Sequence, residues 1–183
     1  MKIEEKIYNR NPLSLLSYLS KNKPNEFLYG KKIAENIGIN QGSASVILKE
    51  FKNMGLLKSE TAGKTVLYYI DKDNPLIKSF RVFENLLDIN ELIEKIKNYT
   101  RVIILFGSCA TGKDNLNSDI DLFIVADDDD KDFVRDEVSI YKIDREINLV
   151  IVNTLELIDM EETDKVFVEE IYKGINLWEG VRE

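Results

Sequence analysis

Residues 105–125 read LFGSCATGKDNLNSDIDLFIV. Upstream, the run RVIILFGS, residues 101–108, is apolar and β-branched until it ends in Gly107-Ser108. Such a run is expected to be a buried strand opening onto a turn and a short helix. Downstream, SDIDLFIVADD, residues 118–128, reads as a second strand. Asp119 and Asp121 are two residues apart, so their side chains project from one face. Paired carboxylates in a strand otherwise built of Ile, Leu, Phe and Val repel each other and lose hydration. A divalent cation would compensate both costs. A strand with two incidental aspartates and a chance Gly-Ser turn explains neither the spacing nor the flanking strands.

Composition narrows the chemistry. The chain of 183 residues contains no histidine and one cysteine. Ser-His-Asp and Cys-His catalysis, histidine-ligated metals, internal disulfides and Cys-rich zinc sites are all excluded. A metal must be held by carboxylates, which favours magnesium or manganese. The N-terminal MKIEEKIYNR has acids among its bases and no apolar run, so a signal peptide is not expected. No stretch is long and apolar enough to span a membrane. The expectation is a cytosolic protein with no membrane partner.

The quoted segment resembles the Gly-Ser … Asp-x-Asp signature of nucleotidyltransferases of the DNA polymerase beta superfamily, in a minimal form. The resemblance runs from about Tyr99 to the end. It implies a nucleotidyltransferase fold with a mixed sheet flanked by helices. It also implies a nucleoside triphosphate as substrate or ligand, contacted by Gly107, Ser108, Lys113 and Ser118. Asp119 and Asp121 would hold Mg2+ (or Mn2+). A third carboxylate, on a neighbouring strand, would help hold a second metal and orient the acceptor hydroxyl, and pyrophosphate would leave. That third acid belongs on REINLVIV, residues 145–152. The position that looks equivalent holds Asn148. Glu146 lies two residues earlier, on the same face of a strand, and is the favoured third ligand, with Asn148 as the alternative. Lys113 stands in for the basic residue that many relatives carry before the glycine of Ala110-Thr111-Gly112. Cys109 is expected to pack rather than react.

The first half has a different character. Residues 1–75 carry 12 basic and 8 acidic residues, a balance of +4, whereas the remainder carries 13 and 25, a balance of −12. Such asymmetry argues for two domains with different partners. Pro12 opens a first helix, LSLLSYLS. KKIAENIG forms a second, ended by Gly38. Asn40 caps a third, which runs from about Gln41 to Met54 with Ala44, Ile47, Leu48, Phe51 and Met54 on its buried stripe. LLKSE and TVLYYI then form a hairpin with Ala62-Gly63-Lys64 at its tip. The order and the stretch IAENIGINQGSASVILKEFKNMGLL are similar to winged-helix repressors, over about residues 12–72. The resemblance implies duplex DNA as partner. Gly42, Ser45, Lys49 and Lys52 face out from the third helix, and Lys58 and Lys64 lie in the hairpin. The lysines would neutralise phosphates. No arginine is present there for bidentate guanine readout.

The fold class expected is therefore α+β in two domains: a winged helix-turn-helix at 1–75, a connecting helix or helices at 76–98, and a nucleotidyltransferase domain at 99–183. Leu76, Phe80, Phe83 and Leu87, then Ile89, Ile93 and Ile96, give the connector an apolar stripe. It serves either packing between domains or the seam of a homodimer. Asp127–Asp130 reads as a solvated loop leading into a helix at about Lys131. Leu155–Tyr172 reads as helical, and INLWEG as a last strand with Trp178 in the core. Two functions fit. One is transfer of a nucleoside monophosphate to a protein side chain, a small molecule or an RNA end. The other is a transcription regulator, or an antitoxin paired with a toxin, whose transferase domain binds nucleotide without turnover.

Overall fold

The computed structural model describes residues 11–22 and 26–180, and the segment MKIEEKIYNR lies outside them. The chain divides into two compact units, residues 1–81 and 82–183.

In the first unit, α1 (Asn11–Lys21), β1 (Leu28–Tyr29), α2 (Gly30–Ile37) and α3 (Gln41–Asn53) precede the hairpin of β2 (Leu57–Ala62) and β3 (Thr65–Ile70). The strands form an antiparallel sheet in the order β1-β3-β2. This is the winged helix-turn-helix arrangement expected from sequence. Gly38 ends α2 in the left-handed region at φ 70°, which costs glycine no Cβ clash. The Asn40 side chain accepts the Ser43 N–H at 2.8 Å and so caps α3. Ala44, Ile47, Leu48 and Phe51 are buried as the helical spacing requires. Met54 is not, being 67% exposed: it is the residue at which α3 has ended, so helical phase no longer governs it. β1 has no counterpart in the sequence reading, since two residues are too few to carry a period. Leu28, however, is buried in the core with Leu15, Leu19 and Ile33.

The connector, expected as one helix or more, is a single helix, α4 (Pro75–Ile96), and a 3-10 turn at Lys97–Tyr99 follows it. The expected stripe holds in its second half, where Ile89, Ile93 and Ile96 are buried together with Leu92. It fails in the first half. Leu76 is 65% and Phe83 40% exposed, while Ile77 is buried. The inward face continues through Arg81, Glu84 and Asn85, all buried. Polar residues on the inner face hid the true phase from a hydrophobic count.

The second unit is a four-stranded mixed sheet, order β6-β5-β4-β7. Its strands are β4 (Val102–Phe106), β5 (Ile120–Val125), β6 (Ile147–Val152) and β7 (Ile175–Glu179). β4 pairs antiparallel with β5 and β7, and β5 pairs parallel with β6. Around it lie α5 (Gly107–Thr111), α6 (Asp128–Ile140), α7 (Thr154–Thr163) and α8 (Lys165–Tyr172). Alternate residues serve opposite faces. Ile103, Leu105, Ile120, Leu122 and Ile124 pack with Ile89, Leu92 and Ile96 of α4 and Val134 of α6. Ile104, Phe123, Val125 and Val152 pack with Leu157 and Met160 of α7 and Phe167 and Ile171 of α8. A sheet covered on both faces explains the nearly unbroken apolar runs.

Two boundaries shift. The helix expected at Lys131 begins at Asp128, with Asp127 at its N-cap, so three of the four acids lie in its first turn rather than in a loop. The helical span 155–172 breaks at Asp164, which ends α7 and caps α8 by accepting the Phe167 N–H. Trp178 packs against the core as expected. Among the described residues no helix is long and apolar enough to cross a membrane.

Candidate functional site

The site lies where β4 ends and β5 and β6 begin. Asp119 immediately precedes β5, and Asp121 is its second residue. Ile120 and Leu122 between and beyond them are fully buried, so the aspartates occupy the opposite face. Asp121 is paired in register with Phe106 of β4 and with Asn148 of β6. The Asn148 amide nitrogen donates to Asp119 Oδ2 at 3.3 Å and to Asp121 Oδ1 at 3.2 Å. A neutral donor thus bridges two carboxylates that would otherwise repel each other.

Gly107 closes the other side. Its φ is +69°, and a Cβ there would run into the Asp121 carboxylate. Two independent constraints therefore demand glycine. The chain turns through Gly107 into α5, and Ser108 follows, half-buried, in the first turn. The helix stops at Gly112, φ 66°, and Lys113, exposed, donates its backbone N–H to the Ser108 carbonyl at 3.1 Å. The Ser118 hydroxyl accepts the Asn115 N–H at 3.0 Å and closes the turn that delivers Asp119. Glu146 lies just before β6. Its carbonyl accepts the Ile120 N–H at 2.9 Å, and it shares with Asp119, Ser118, Asp144 and Arg145 a small cleft of about 220 Å³. It makes no carboxylate cage with the aspartates: among the described residues no three Asp, Glu or Cys side chains are grouped to hold a metal. The residue of β6 that touches the aspartates is Asn148.

A buried polar network supports this edge, and the sequence pattern did not reveal it. The Arg145 guanidinium donates to Asp114 Oδ2 at 3.1 Å, Asn85 Oδ1 at 2.9 Å and Asp88 Oδ2 at 3.1 Å. Asn85 donates in turn to Asp114 Oδ1 at 3.1 Å and to the Cys109 carbonyl at 3.0 Å. The network ties α4, the end of α5 and the start of β6 together. Its one sequence signal is an arginine, Arg145, immediately before an apolar strand. Cys109 is buried, and its thiol donates to the Asp119 carbonyl at 3.2 Å. Burial, and next the Asp114 carboxylate, push the thiol up to about 11. It is a structural donor, as its expected packing role implies.

The residues expected to meet DNA are spread over the first unit. Gly42, Ser45, Lys49 and Lys52 are exposed on α3, and Lys64 is exposed at the hairpin tip. There Ala62 pairs with Thr65, and Gly63 has φ 62°. Lys58 is at the foot of the hairpin, opposite Tyr69, and its ammonium lies 2.6 Å from Asp71 Oδ2. Part of its charge is therefore already answered.

A family model described as "Polymerase beta, Nucleotidyltransferase" matches residues 88–182, just over half of the chain. No curated protein matches it. Among solved structures it is similar to a protein of Archaeoglobus fulgidus, with 18% identity, 48% of this chain and 97% of that one covered, and a TM-score of 0.41. MepR, a transcription regulator of the Staphylococcus aureus multidrug efflux pump MepA, gives 18%, 50%, 69% and 0.40. A variant of ZitR from Lactococcus lactis gives 22%, 54%, 69% and 0.36. With a Gly-Ser turn, paired aspartates and a mixed sheet all inside the matched span, the chain belongs to the polymerase beta nucleotidyltransferase family.

Proposed function

We propose that this chain is a duplex-DNA-binding regulator whose second unit binds a nucleoside triphosphate together with one divalent metal. The observation that carries the reading is Asn148, in register with Asp121 and hydrogen-bonded to both aspartates. An all-oxygen set of two carboxylates suits magnesium, which is usually held by one or two carboxylates while phosphates and water complete its shell. Asp119 and Asp121 would hold the metal, which would neutralise the triphosphate's charge. Gly107 allows the backbone to approach the phosphates, Ser108 offers a hydroxyl, and Lys113 supplies a mobile ammonium. Asn148 orients the two carboxylates. A neutral amide does not take a proton from an acceptor hydroxyl, and with it at the third position the site has two acids where two-metal transfer uses three.

Transfer of a nucleoside monophosphate to an acceptor is the second reading. It rests on Glu146, whose cleft it shares with Asp119. Incubation with labelled nucleoside triphosphates and magnesium separates the two. The regulator reading expects saturable nucleotide binding, lost in Asp119→Ala and Asp121→Ala, with no transfer of label and no pyrophosphate. Pyrophosphate release by the wild type that Glu146→Gln removes, binding being retained, would establish the enzyme instead.

A further inference from the structure

The sheet of the second unit ends in β6, which pairs with β5 on one side and with no described strand on the other. The Ile120 and Ala126 N–H groups donate to the carbonyls of Glu146 and Val152, each at 2.9 Å. Backbone groups alternate in direction along a strand, so the even-numbered residues of β6 face β5. The N–H and C=O groups of Ile147, Leu149 and Ile151 therefore face outward, and all three residues are only half-buried. Edge strands are commonly protected by brevity, a lysine, a proline or a bulge. β6 has six residues, reads INLVIV and keeps a regular register with β5, so it has none of these. Beside this edge, α7 adds an apolar ledge on which Leu155 is 76% and Ile158 50% exposed. An open groove of about 570 Å³ lies there, lined by Ile151, Val152, Leu155 and Met160 together with Glu156 and Asp159. Residues 146–163 carry five acids and no Lys or Arg. Lys131 engages Glu156, whereas Asp159 forms no ion pair among the described residues.

We propose that the open edge of β6 and the α7 groove dock a basic, extended segment of a partner protein, which adds to the sheet as a further strand. Main-chain hydrogen bonds to Ile147, Leu149 and Ile151 supply affinity whatever the partner's side chains, and the groove selects among those side chains. A Lys or Arg suits it twice over: the methylene stem lies on Leu155 and Met160, and the charged head reaches Asp159. The same charge disfavours edge-to-edge pairing with a second copy of this chain, since each copy would bring the same five acids. Asn148 lies between Ile147 and Leu149, so a strand added here passes beside the paired aspartates.

The probe is a short, end-blocked fluorescent peptide of alternating Lys and Val, titrated with the full chain at physiological salt and followed by anisotropy. Saturable binding is expected, with none for the Glu-Val counterpart. N-methylation of every peptide bond keeps the charge and removes the backbone donors, and it should abolish binding. Asp159→Lys and Leu155→Lys change exposed positions of α7, so both variants should melt with the parent. Each should weaken the peptide about tenfold, because it sets like charges together. Asp136→Lys places a lysine on α6, which covers the other face of the sheet, and should leave binding unchanged. No saturation by wild type overturns the proposal. Equal weakening by Asp136→Lys also does, since net charge alone would then be the attraction. Retained binding of the methylated peptide would leave charge without strand addition, and it overturns the proposal too. If wild type sediments as a dimer that Leu155→Lys or Asp159→Lys dissociates, a second copy covers the edge and the partner assignment falls.

Discussion

Asn148 is the residue on which the chemistry turns. Its amide now bridges Asp119 and Asp121. Asn148→Asp would place a third carboxylate beside the pair, raising magnesium affinity on the order of tenfold through ligand charge. Without metal, repulsion among three acids should lower the melting temperature. Calorimetry with and without magnesium checks both signs, and label transfer appearing only in this variant would identify a site that lacks one carboxylate. Cys109 gives a second residue-level expectation. With its thiol pushed up to about 11, its thiolate fraction at pH 8 is about a hundredfold below that of an ordinary cysteine. Alkylation of the native protein at pH 8 should be slower by at least that factor, and denaturant should restore it. The spacing of Gly107, Ser108, Asp119 and Asp121 was legible in the sequence because each is tied to its neighbours along two strands and a turn. The choice between Glu146 and Asn148 was not. The spacing puts both on one face of the expected strand, and only the parallel pairing of β6 with β5 sets Asn148 against the aspartates.

Elements are held here by polar ties as well as by packing. Arg145 joins α4, the α5–β5 connection and β6, and the Asp114 side chain it meets has no exposure. Arg145→Met would leave that carboxylate buried without its cation. The expected cost is about 3–5 kcal/mol of second-unit stability, read as a lower urea midpoint. Gly107→Ala combines a left-handed backbone with a collision at Asp121. It should cost about 1–3 kcal/mol and abolish nucleotide binding. Lys131 ties the first turn of α6 to α7, at 2.9 Å from Asp128 and 2.6 Å from Glu156. Hydrogen bonds to Lys131 hold both carboxylates below their ordinary range. Depressed carboxylates contribute stability that is present above their ordinary values and lost as pH falls through the depressed ones. Lys131→Met should therefore lower stability slightly near neutrality and leave it almost unchanged in strong acid, so that the acid limb of a stability profile below about pH 4 is flattened. Both partners are well exposed, so screening keeps the effect modest. Apart from the Lys131–Asp128 pair within one turn of α6, these ties were not visible as a local pattern: Arg145 is 57 residues from Asp88 and 31 from Asp114.

For the whole molecule, the charge imbalance between the halves predicts two binding activities with opposite requirements. Duplex binding should fall steeply with salt, because it releases counterions. Removing magnesium with a chelator should abolish nucleotide binding and leave duplex binding intact. Gel-shift and calorimetric titrations of the full chain check this, and loss of both activities on chelation would contradict it. Composition, hydrophobic period and punctuation in the sequence already implied two units, helices with a hairpin in the first and strands bearing paired aspartates in the second, while the mixed sheet was implied by the family resemblance. Those features depend on short-range physics: alternation along a strand, helical spacing, caps, and glycines at positive φ. What emerged from the fold involves partners distant along the chain. The inward phase of α4, turned by buried Arg81, Glu84 and Asn85, is one case. The strand β1 and the placement of Asn148 against Asp121 are the others. A local pattern records which face of an element is apolar, but not which neighbour that face or its polar edge will meet. That is set by register and packing between segments, and so it emerges only when the chain has closed on itself.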